Sequence, residues 1–211
     1  MTSLSTAPLE DARHTPLGDG ALNQLFYGAR TFGYWQDRPV DDDKLRQLAE
    51  LSGLAPTSMN CNPLRIYFLR TAEAREQLVP ALKEGNVEKV RQAPVTAILA
   101  YDRRFYDNLP TLFPHNKDAR SLFVGNEPLR EETAFRNGSL QGGYFILAAR
   151  ALGLDCGPIS GFDNDKVDQI FFGNDNPHLR SNFICNLGYG DETRLHPRGP
   201  RLSFDESCRL L

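Results

Sequence analysis

Residues 55–63 read Ala55-Pro56-Thr57-Ser58-Met59-Asn60-Cys61-Asn62-Pro63. They follow a helix-like stretch and precede a short apolar segment at 66–69 that predicts a strand. Ser, Thr and Asn side chains compete for backbone hydrogen bonds, so the run favours neither helix nor strand. A polar loop of this kind suits a flat ligand with polar edges, held against a rigid scaffold. The simpler interpretation is a helix-to-strand turn with an Asn cap.

The bulk properties predict one cytoplasmic domain. The chain has 211 residues, is 40% hydrophobic and carries a net charge of −3, which gives no electrostatic case for binding nucleic acid or an anionic membrane. No apolar run approaches the roughly 20 residues that span a bilayer. The four cysteines form no C-x-x-C pair and the four histidines show no ligand spacing, so we expect reduced thiols and no metal site. We expect residues 1–20 to be a flexible arm and 21–211 to be a single domain.

Hydrophobic periodicity predicts alternating helices and strands in the first half of the chain. Helices are expected at 22–30, after the acidic residues 41–43, near 73–82 and near 87–93, and strands at 66–69 and 95–101. Segment 95–101 is apolar on both faces, which is typical of a central strand. The irregular stretch 101–126 is long for a compact domain and indicates a lid or a binding loop.

The second half is dominated by one long predicted helix at 127–152. It contains Gly138, Gly142 and Gly143, each of which costs about 1 kcal/mol relative to Ala. Their expected compensation is close approach of another helix, including one from a second subunit; the alternative is a break near Gly142. Residues 156–163 read as a glycine-punctuated turn that ends at an Asp163 N-cap, and 183–190 as a strand running into a tight loop.

The chain lacks the common catalytic fingerprints. Neither phosphate-binding glycine motif is present, and there is no G-x-S-x-G nucleophile elbow. Ser160 has no identifiable His–Asp partners, and Cys61 has no neighbouring cation pattern that would lower its pKa. Dispersed polar loops and scattered Arg and Lys residues instead favour a cofactor enzyme. In such an enzyme, guanidinium groups would hold the phosphate of the cofactor, and hydroxyl and amide groups would bind its polyol. Backbone N–H groups and one cation would contact its planar ring.

Several ordered motifs carry a resemblance to a known family. They are Ala29-Arg30-Thr31, residues 55–63, Asn86-x-x-Lys89, Gly157-Pro158-Ile159-Ser160-Gly161-Phe162-Asp163, Asn186-Leu187-Gly188-Tyr189-Gly190 and Pro200-Arg201-Leu202-Ser203-Phe204. On these motifs the chain, from about Ala21 onward, resembles the FMN-dependent nitroreductase family. The segments 131–137 (Glu-Glu-Thr-Ala-Phe-Arg-Asn) and 113–115 (Phe-Pro-His) resemble its malonic semialdehyde reductase branch in particular.

The resemblance implies an α+β fold with a mixed sheet flanked by helices, and an intertwined homodimer with FMN at the subunit interface. It assigns cofactor contacts to eleven positions. Arg30 and Arg201 would hold the phosphate, with Thr31 nearby, and Ser58 and Asn60 would contact the flavin and its ribityl chain. Asn86 and Lys89 would meet the pyrimidine edge of the ring. Flavin N5 would be faced by the turn formed by Pro158, Ile159, Ser160 and Gly161. A cation such as Lys89 at that edge would stabilise a reduced, anionic flavin.

Alternatives to these roles remain open, and two positions depart from the family pattern. Lys89 could be a solvated helix lysine, Arg30 a helix-end residue that complements the dipole, and Arg201 a surface ion pair. Many members carry a basic residue where this chain has Gly33, and Arg198 is a candidate substitute. Many also carry Glu where this chain has Ser160, which is harmless if only backbone contacts matter there.

The implied activity is hydride transfer at flavin N5, so no protein side chain is assigned a catalytic role. NAD(P)H would reduce FMN and then be replaced by malonic semialdehyde, which would leave as 3-hydroxypropanoate, a step of pyrimidine degradation. His115 or Arg136 would bind the substrate carboxylate. The alternatives are a nitroreductase, quinone reductase or enone reductase of broad specificity and, in another class, a non-catalytic flavin-binding module.

Overall fold

The fold is built on one four-stranded sheet. The computed structural model describes residues 14–173 and 175–211, so most of the predicted 1–20 arm lies outside the described residues. The strands are β1 (Leu64–Leu69), β2 (Val95–Asp102), β3 (Asp155–Ile159) and β4 (Leu179–Gly188), in the spatial order β1-β2-β4-β3. All three strand pairs are antiparallel. The α+β class is confirmed, but the expectation of a mixed sheet is wrong for these four strands.

Eight α-helices surround the sheet within the described residues. They are α1 (Asp19–Leu22), α2 (Asp42–Gly53), α3 (Ala72–Leu78), α4 (Glu84–Arg91), α5 (Leu109–Leu112), α6 (Glu127–Ala151), α7 (Asn164–Phe171) and α8 (Phe204–Ser207). A π-helical turn at Asn23–Tyr27 extends α1, and a 3-10 turn at Val79–Ala81 extends α3. The helices expected in the first half of the chain are therefore confirmed. No helix within residues 14–173 and 175–211 has the length and apolar character needed to cross a membrane.

Strand β2 lies at the centre of the core, as its sequence predicts. Every residue from Val95 to Asp102 is buried, and the two faces of the strand enter different apolar clusters. On one face Leu99 packs with residues of α2 and α6, including Phe145. On the other face Ile98 packs with residues of α3, α4 and α7, including Val167. Helices therefore cover both faces of the sheet, and the loops at its edges are attached to a packed core.

Two of the three glycines of α6 are explained by close contact between the helix and strands of the sheet. The helix runs unbroken through all three, so a break near Gly142 is wrong. A Cβ built on Gly142 would lie 2.6 Å from the Phe183 ring on β4, and one built on Gly138 would lie 2.9 Å from the Tyr101 Cβ on β2. The expected neighbouring helix is thus wrong for these two positions, where only Gly allows the helix to lie this close to the sheet. Gly143 has no atom within 4 Å of a built Cβ.

Two other segments differ from their sequence patterns. Residues 101–126 contain short helical turns at Phe105–Asn108 and Ala119–Leu122, with a small apolar core in which the rings of Phe105 and Phe123 meet edge to face at 4.8 Å. The turn expected to begin at Cys156 is strand β3, an edge position where a proline is tolerated. The Asp163 cap is confirmed, since its carboxylate accepts from the Lys166 N–H at 3.2 Å.

Candidate functional site

Two adjoining cavities lie along the outer edge of β3. Their volumes are about 520 and 350 Å³, and Arg30 and Thr31 line both. The larger cavity also contains Asn86, Lys89 and residues 157–161, and the smaller one contains three further arginines. All the predicted cofactor residues except Ser58 and Asn60 therefore line one elongated depression, although they come from four separated segments of the chain.

The β3 edge forms the floor of this depression. Thr31 makes an isolated parallel bridge with Cys156, and the Phe32 N–H donates to the Cys156 carbonyl at 3.0 Å. A Cβ built on Gly157 would lie 2.3 Å from the Phe32 carbonyl oxygen, so this close approach requires glycine. The chain around Thr31 thus covers hydrogen-bonding groups on the open side of the edge strand.

A network on α4 holds the Lys89 end of the larger cavity. The Lys89 ammonium donates to Asn86 Oδ1 at 3.2 Å, and Asn86 Nδ2 donates to the Gly161 carbonyl at 3.0 Å. Asn186 of β4 supports α4 from below through a 2.9 Å bond to the Lys89 carbonyl. A Cβ built on Gly161 would lie 2.5 Å from Asn86 Nδ2, so a side chain there would displace the Asn86 amide from this network. The network fixes one cation beside the β3 edge, a position suited to stabilising negative charge.

Gly33 faces the same lysine. A Cβ built on Gly33 would lie 3.5 Å from the aliphatic carbons of Lys89. A Cβ at this position would therefore make an ordinary van der Waals contact with the Lys89 stem. Gly33 itself adds no cation to the larger cavity, and Arg198, the suggested substitute, lines the smaller one.

The smaller cavity carries four arginines. Arg30 donates to the His196 carbonyl, Arg150 to the Leu25 carbonyl, and Arg198 to the carbonyls of Tyr27 and Ala29, both at 2.7 Å. Arg201 donates to the carbonyls of Gly199 and Pro200. Among the described residues none of the four lies within 4.0 Å of a carboxylate oxygen, so backbone carbonyls orient them without neutralising their charge. Guanidinium groups arranged in this way suit a phosphate.

Sequence reasoning missed Arg150. It occupies the last turn of α6, where a basic residue ordinarily complements the helix dipole, and no local motif distinguishes it. Tyr34, Arg194 and His196, which also line the larger cavity, carried no signal either.

The loop at 55–63 lies away from both cavities. It leads into β1, whereas the cavities follow β3, and the two edges of a four-stranded sheet are about 14 Å apart. The Ser58 N–H donates to Asn137 Oδ1 at 2.8 Å, and Asn60 Nδ2 donates to the Leu112 carbonyl at 2.9 Å. Ser58 and Asn60 themselves are exposed. A single chain therefore does not bring these two predicted ligands to the other nine.

This loop has an unusual backbone. Met59, Asn60 and Asn62 all have positive φ angles, of 53°, 51° and 41°. Left-handed backbone at non-glycine residues costs about 1–3 kcal/mol each, and it persists only where the surroundings hold it. Here Gln141 of α6 holds the C-terminal end of the segment: its Nε2 donates to Asn62 Oδ1 at 3.0 Å, and its Oε1 accepts from the Leu64 N–H at 2.9 Å. The loop is a rigid, exposed feature and more than a simple turn.

The remaining candidates lie outside the cavities. Cys61 is buried in an apolar cluster, and burial raises the pKa of its thiol to about 11, so it packs beside the loop as a neutral thiol. His115 is exposed and packs on the Phe113 ring with centroids 3.9 Å apart. Arg136 is exposed and pairs with Glu132 one turn earlier on α6. Neither His115 nor Arg136 lines the cavity that contains Lys89.

Comparisons with known proteins agree with this architecture. Residues 33–189 match the model of the Nitroreductase family. The chain is 54% identical over 195 residues to a Polynucleobacter asymbioticus protein provisionally named NADH dehydrogenase/NAD(P)H nitroreductase, and the match covers 92% of this chain and 98% of that protein.

Solved structures show the same fold. A provisionally assigned Bacillus subtilis nitroreductase superposes with a TM-score of 0.82 at 22% identity, over 91% of this chain and 99% of that one. A provisionally assigned nitroreductase from Exiguobacterium sibiricum, solved in complex with FMN, gives a TM-score of 0.76 at 18% identity, over 93% and 100% of the two chains.

The fold is therefore the α+β fold of a known class of oxidoreductases, and the site lies at the edge of its sheet. The chain belongs to the nitroreductase family. Family membership confirms the predicted enzyme class, an FMN-dependent NAD(P)H oxidoreductase. The particular branch is a separate question.

Proposed function

We propose that this chain acts as a cytosolic homodimer that binds FMN along the β3 edge and reduces malonic semialdehyde to 3-hydroxypropanoate in pyrimidine degradation, with NAD(P)H as the electron donor. The observation that carries the cofactor site is its asymmetry. Four arginines that have no carboxylate partner among the described residues lie at one end, and the Asn86–Lys89 pair lies at the other; one of the arginines, Arg30, lines both cavities with Thr31. An elongated ligand with a phosphate at one end and a planar ring at the other matches this arrangement.

The residues fit FMN in their chemistry. Arg30 and Arg201 would hold the phosphate, and Asn86 and Lys89 would meet the polar edge of the ring. Residues 157–161 line the larger cavity, and Gly157 and Gly161 allow Phe32 and Asn86 to lie close against them. Bound FMN supplies the hydride-transfer chemistry; the chain's own contribution is to orient the cofactor and to place a cation beside the ring.

The homodimer is supported by what one chain leaves incomplete. Ser58 and Asn60 are rigidly presented but line neither cavity, so a second copy would have to bring them to the cofactor. Helix α6, which supports this loop, also carries outward-facing apolar residues: Phe135 is 51% exposed and Tyr144 is 42% exposed. The C-terminal segment exposes more, namely Leu202, Phe204, Leu210 and Leu211. Exposed apolar surface of this extent is typical of an interface, and an isologous dimer would cover it.

The cytosolic location and the substrate have separate support. All four cysteines are free thiols, three of them buried, which suits a reducing compartment.

Malonic semialdehyde is proposed because segments 113–115 and 131–137 resemble that branch of the family. A broad nitroreductase is the second candidate, and it is favoured by the name of the relative that is 54% identical.

The deciding experiment uses the purified full chain. We expect a yellow protein with one FMN per chain, a dimer by light scattering, and bleaching when NADH or NADPH is added without oxygen. Turnover of malonic semialdehyde is then compared with turnover of a nitroaromatic under both donors. A colourless protein that will not take up FMN overturns the cofactor, absence of bleaching indicates a binding module, and better nitroaromatic turnover by orders of magnitude selects the second candidate.

A further inference from the structure

One cation in the larger cavity has no role in the site described so far. Arg194 ends the 3-10 turn Glu192–Arg194, and its guanidinium carbon lies 3.4 Å from the centroid of the Tyr34 ring. Both residues line the cavity that also contains Asn86 and Lys89. Stacking of this kind on an aromatic face holds a guanidinium flat while its N–H edges stay free to bind a ligand.

The turn that carries Arg194 is fixed to the cavity wall. The Asp191 N–H donates to the Tyr34 carbonyl at 3.0 Å, and Trp35 bridges to Gly190. The Asp191 carboxylate accepts from the N–H and the hydroxyl of Thr193, at 3.0 and 2.6 Å. Arg194 therefore needs little ordering before it can bind, which favours affinity.

The charge of Arg194 is not neutralised by an ion pair. Asp191 lines the same cavity; its hydrogen bonds to Thr193 are the main reason that its pKa is lowered, and the charge of Arg194 contributes to the lowering without a direct ion pair. Within the part of the chain that the structure describes, no carboxylate oxygen lies within 4.0 Å of an Arg194 nitrogen. The arginines assigned to the phosphate end, apart from Arg30, line only the smaller cavity. Arg194 is thus available to a second anionic group.

We infer that Arg194, stacked on Tyr34, binds the carboxylate of the electron acceptor and makes the enzyme selective for acidic acceptors. The inference rests on the proposed function and adds to it a residue and a substrate class. It also replaces His115 and Arg136 with a cation that the same chain places in the cavity. A phosphate of the nicotinamide nucleotide offers the same anionic chemistry, so the test separates the two sources.

The test compares two acceptors that differ in one group, 4-nitrobenzoate and the neutral 4-nitrobenzyl alcohol. In Arg194→Gln we expect the ratio of kcat/KM for the acid to that for the alcohol to fall at least ~10-fold, mainly through the KM of the acid, since a charge-assisted hydrogen bond is lost. Tyr34→Phe keeps the ring and should keep the ratio, whereas Tyr34→Leu should lower it in part. Arg46→Gln, an exposed arginine of α2, is the matched control.

Direct binding gives a second readout. Benzoate titrated into the FMN-loaded enzyme should bind the Arg194→Gln variant at least ~10-fold more weakly by calorimetry, with Arg194→Lys between the two. The FMN Kd should stay within about twofold of wild type.

Three results would overturn the inference while leaving the proposed function intact. They are an unchanged acid-to-alcohol ratio, a tenfold loss of FMN affinity, and a rise in the KM for NADPH that is absent for NADH, which would assign Arg194 to a nucleotide phosphate. Failure of the proposed function is seen earlier and separately, as a wild-type protein that takes up no FMN.

Discussion

The β3 edge and the 55–63 loop are both rigid and polar, but they differ in what one chain does with them. At the β3 edge five segments converge and leave a depression lined by cations. At the loop, α6 fixes a strained backbone through Asn137 and Gln141, and the two exposed side chains it presents line neither cavity. If the loop and the cavity serve one cofactor, as we propose, the binding site is complete in its chemistry but divided in space. Each half would then need a second copy of the chain.

Mixed dimers test this division most strongly. One chain carries Arg30→Ala with Arg201→Ala, which damages the cavity, and the other carries Ser58→Trp, which blocks the loop. We expect neither homodimer to retain FMN at concentrations that saturate the wild type. The mixed dimer, isolated with two affinity tags, should bind one FMN, because one of its sites combines an intact cavity with an intact loop. A mixed dimer without FMN would show that the loop and the cavity of different chains do not share a site.

The arginine end should dominate cofactor affinity. Arg30→Ala combined with Arg201→Ala removes two charge-assisted contacts of roughly 1.5–3 kcal/mol each, so we expect the FMN Kd to rise at least ~100-fold. Fluorescence quenching of FMN measures it. Arg46→Ala, on the exposed face of α2, is the control and should leave the Kd unchanged. A double variant with wild-type affinity would mean that the phosphate lies elsewhere.

Two adjacent glycines of α6 separate the chain's own packing from contact with a second copy. Gly142→Ala should lower the free energy of unfolding by about 1–3 kcal/mol, because its Cβ would meet the Phe183 ring. Gly143→Ala has open space in one chain and should raise helix stability by about 1 kcal/mol if it stays exposed. If instead a partner helix packs there, Gly143→Ala weakens the dimer. Denaturant unfolding at two protein concentrations distinguishes these outcomes.

Asn137 should matter to the loop more than to the cavity. Asn137→Ala leaves the Ser58 N–H without its acceptor and should cost about 1–2 kcal/mol of stability. Thermal unfolding measures the loss, and hydrogen exchange should show faster exchange at Ser58 than at Phe32. Equal acceleration at both amides would argue against independent support of the two regions.

Cys61 should give the smallest effect. Because burial raises its pKa to about 11, the thiol is neutral at pH 8, and Cys61→Ala should change turnover by less than about twofold. The folded-state pKa lies above that of the unfolded thiol, so the stability contributed by the neutral group is fully present below about pH 9 and is lost as the pH rises toward 11. Loss of all activity in Cys61→Ala would restore the thiol as a candidate nucleophile.

Sequence patterns foresaw the elements whose own residues determine them. Val95–Asp102 is apolar on both faces and is the central strand, and Asp163 caps the helix that follows it. Strand β3 could not be foreseen, because Gly157 and Pro158 have poor strand propensity. It is a strand because β4 pairs with one side of it and the chain near Thr31 with the other. Tertiary contact thus overrides local preference.

The same reason limits prediction of the site. The resemblance supplied nine residues that the structure brings together, and two that it places elsewhere. Arg150 and Arg194 carry no local signal, since their roles depend on neighbours distant in sequence, such as Leu25 and Tyr34. The 55–63 loop and the cavities lie apart because β1 and β3 occupy opposite edges of the sheet, and no single motif encodes this strand order.

The contact of Arg198 with the Tyr27 carbonyl has a consequence for folding. The two residues are 171 positions apart, so the phosphate end of the depression closes a loop that contains all four strands. Closing a loop of this length has an entropic cost that the packed sheet must offset first. We therefore expect the arginine end to order after the sheet and to open before it when the protein is heated.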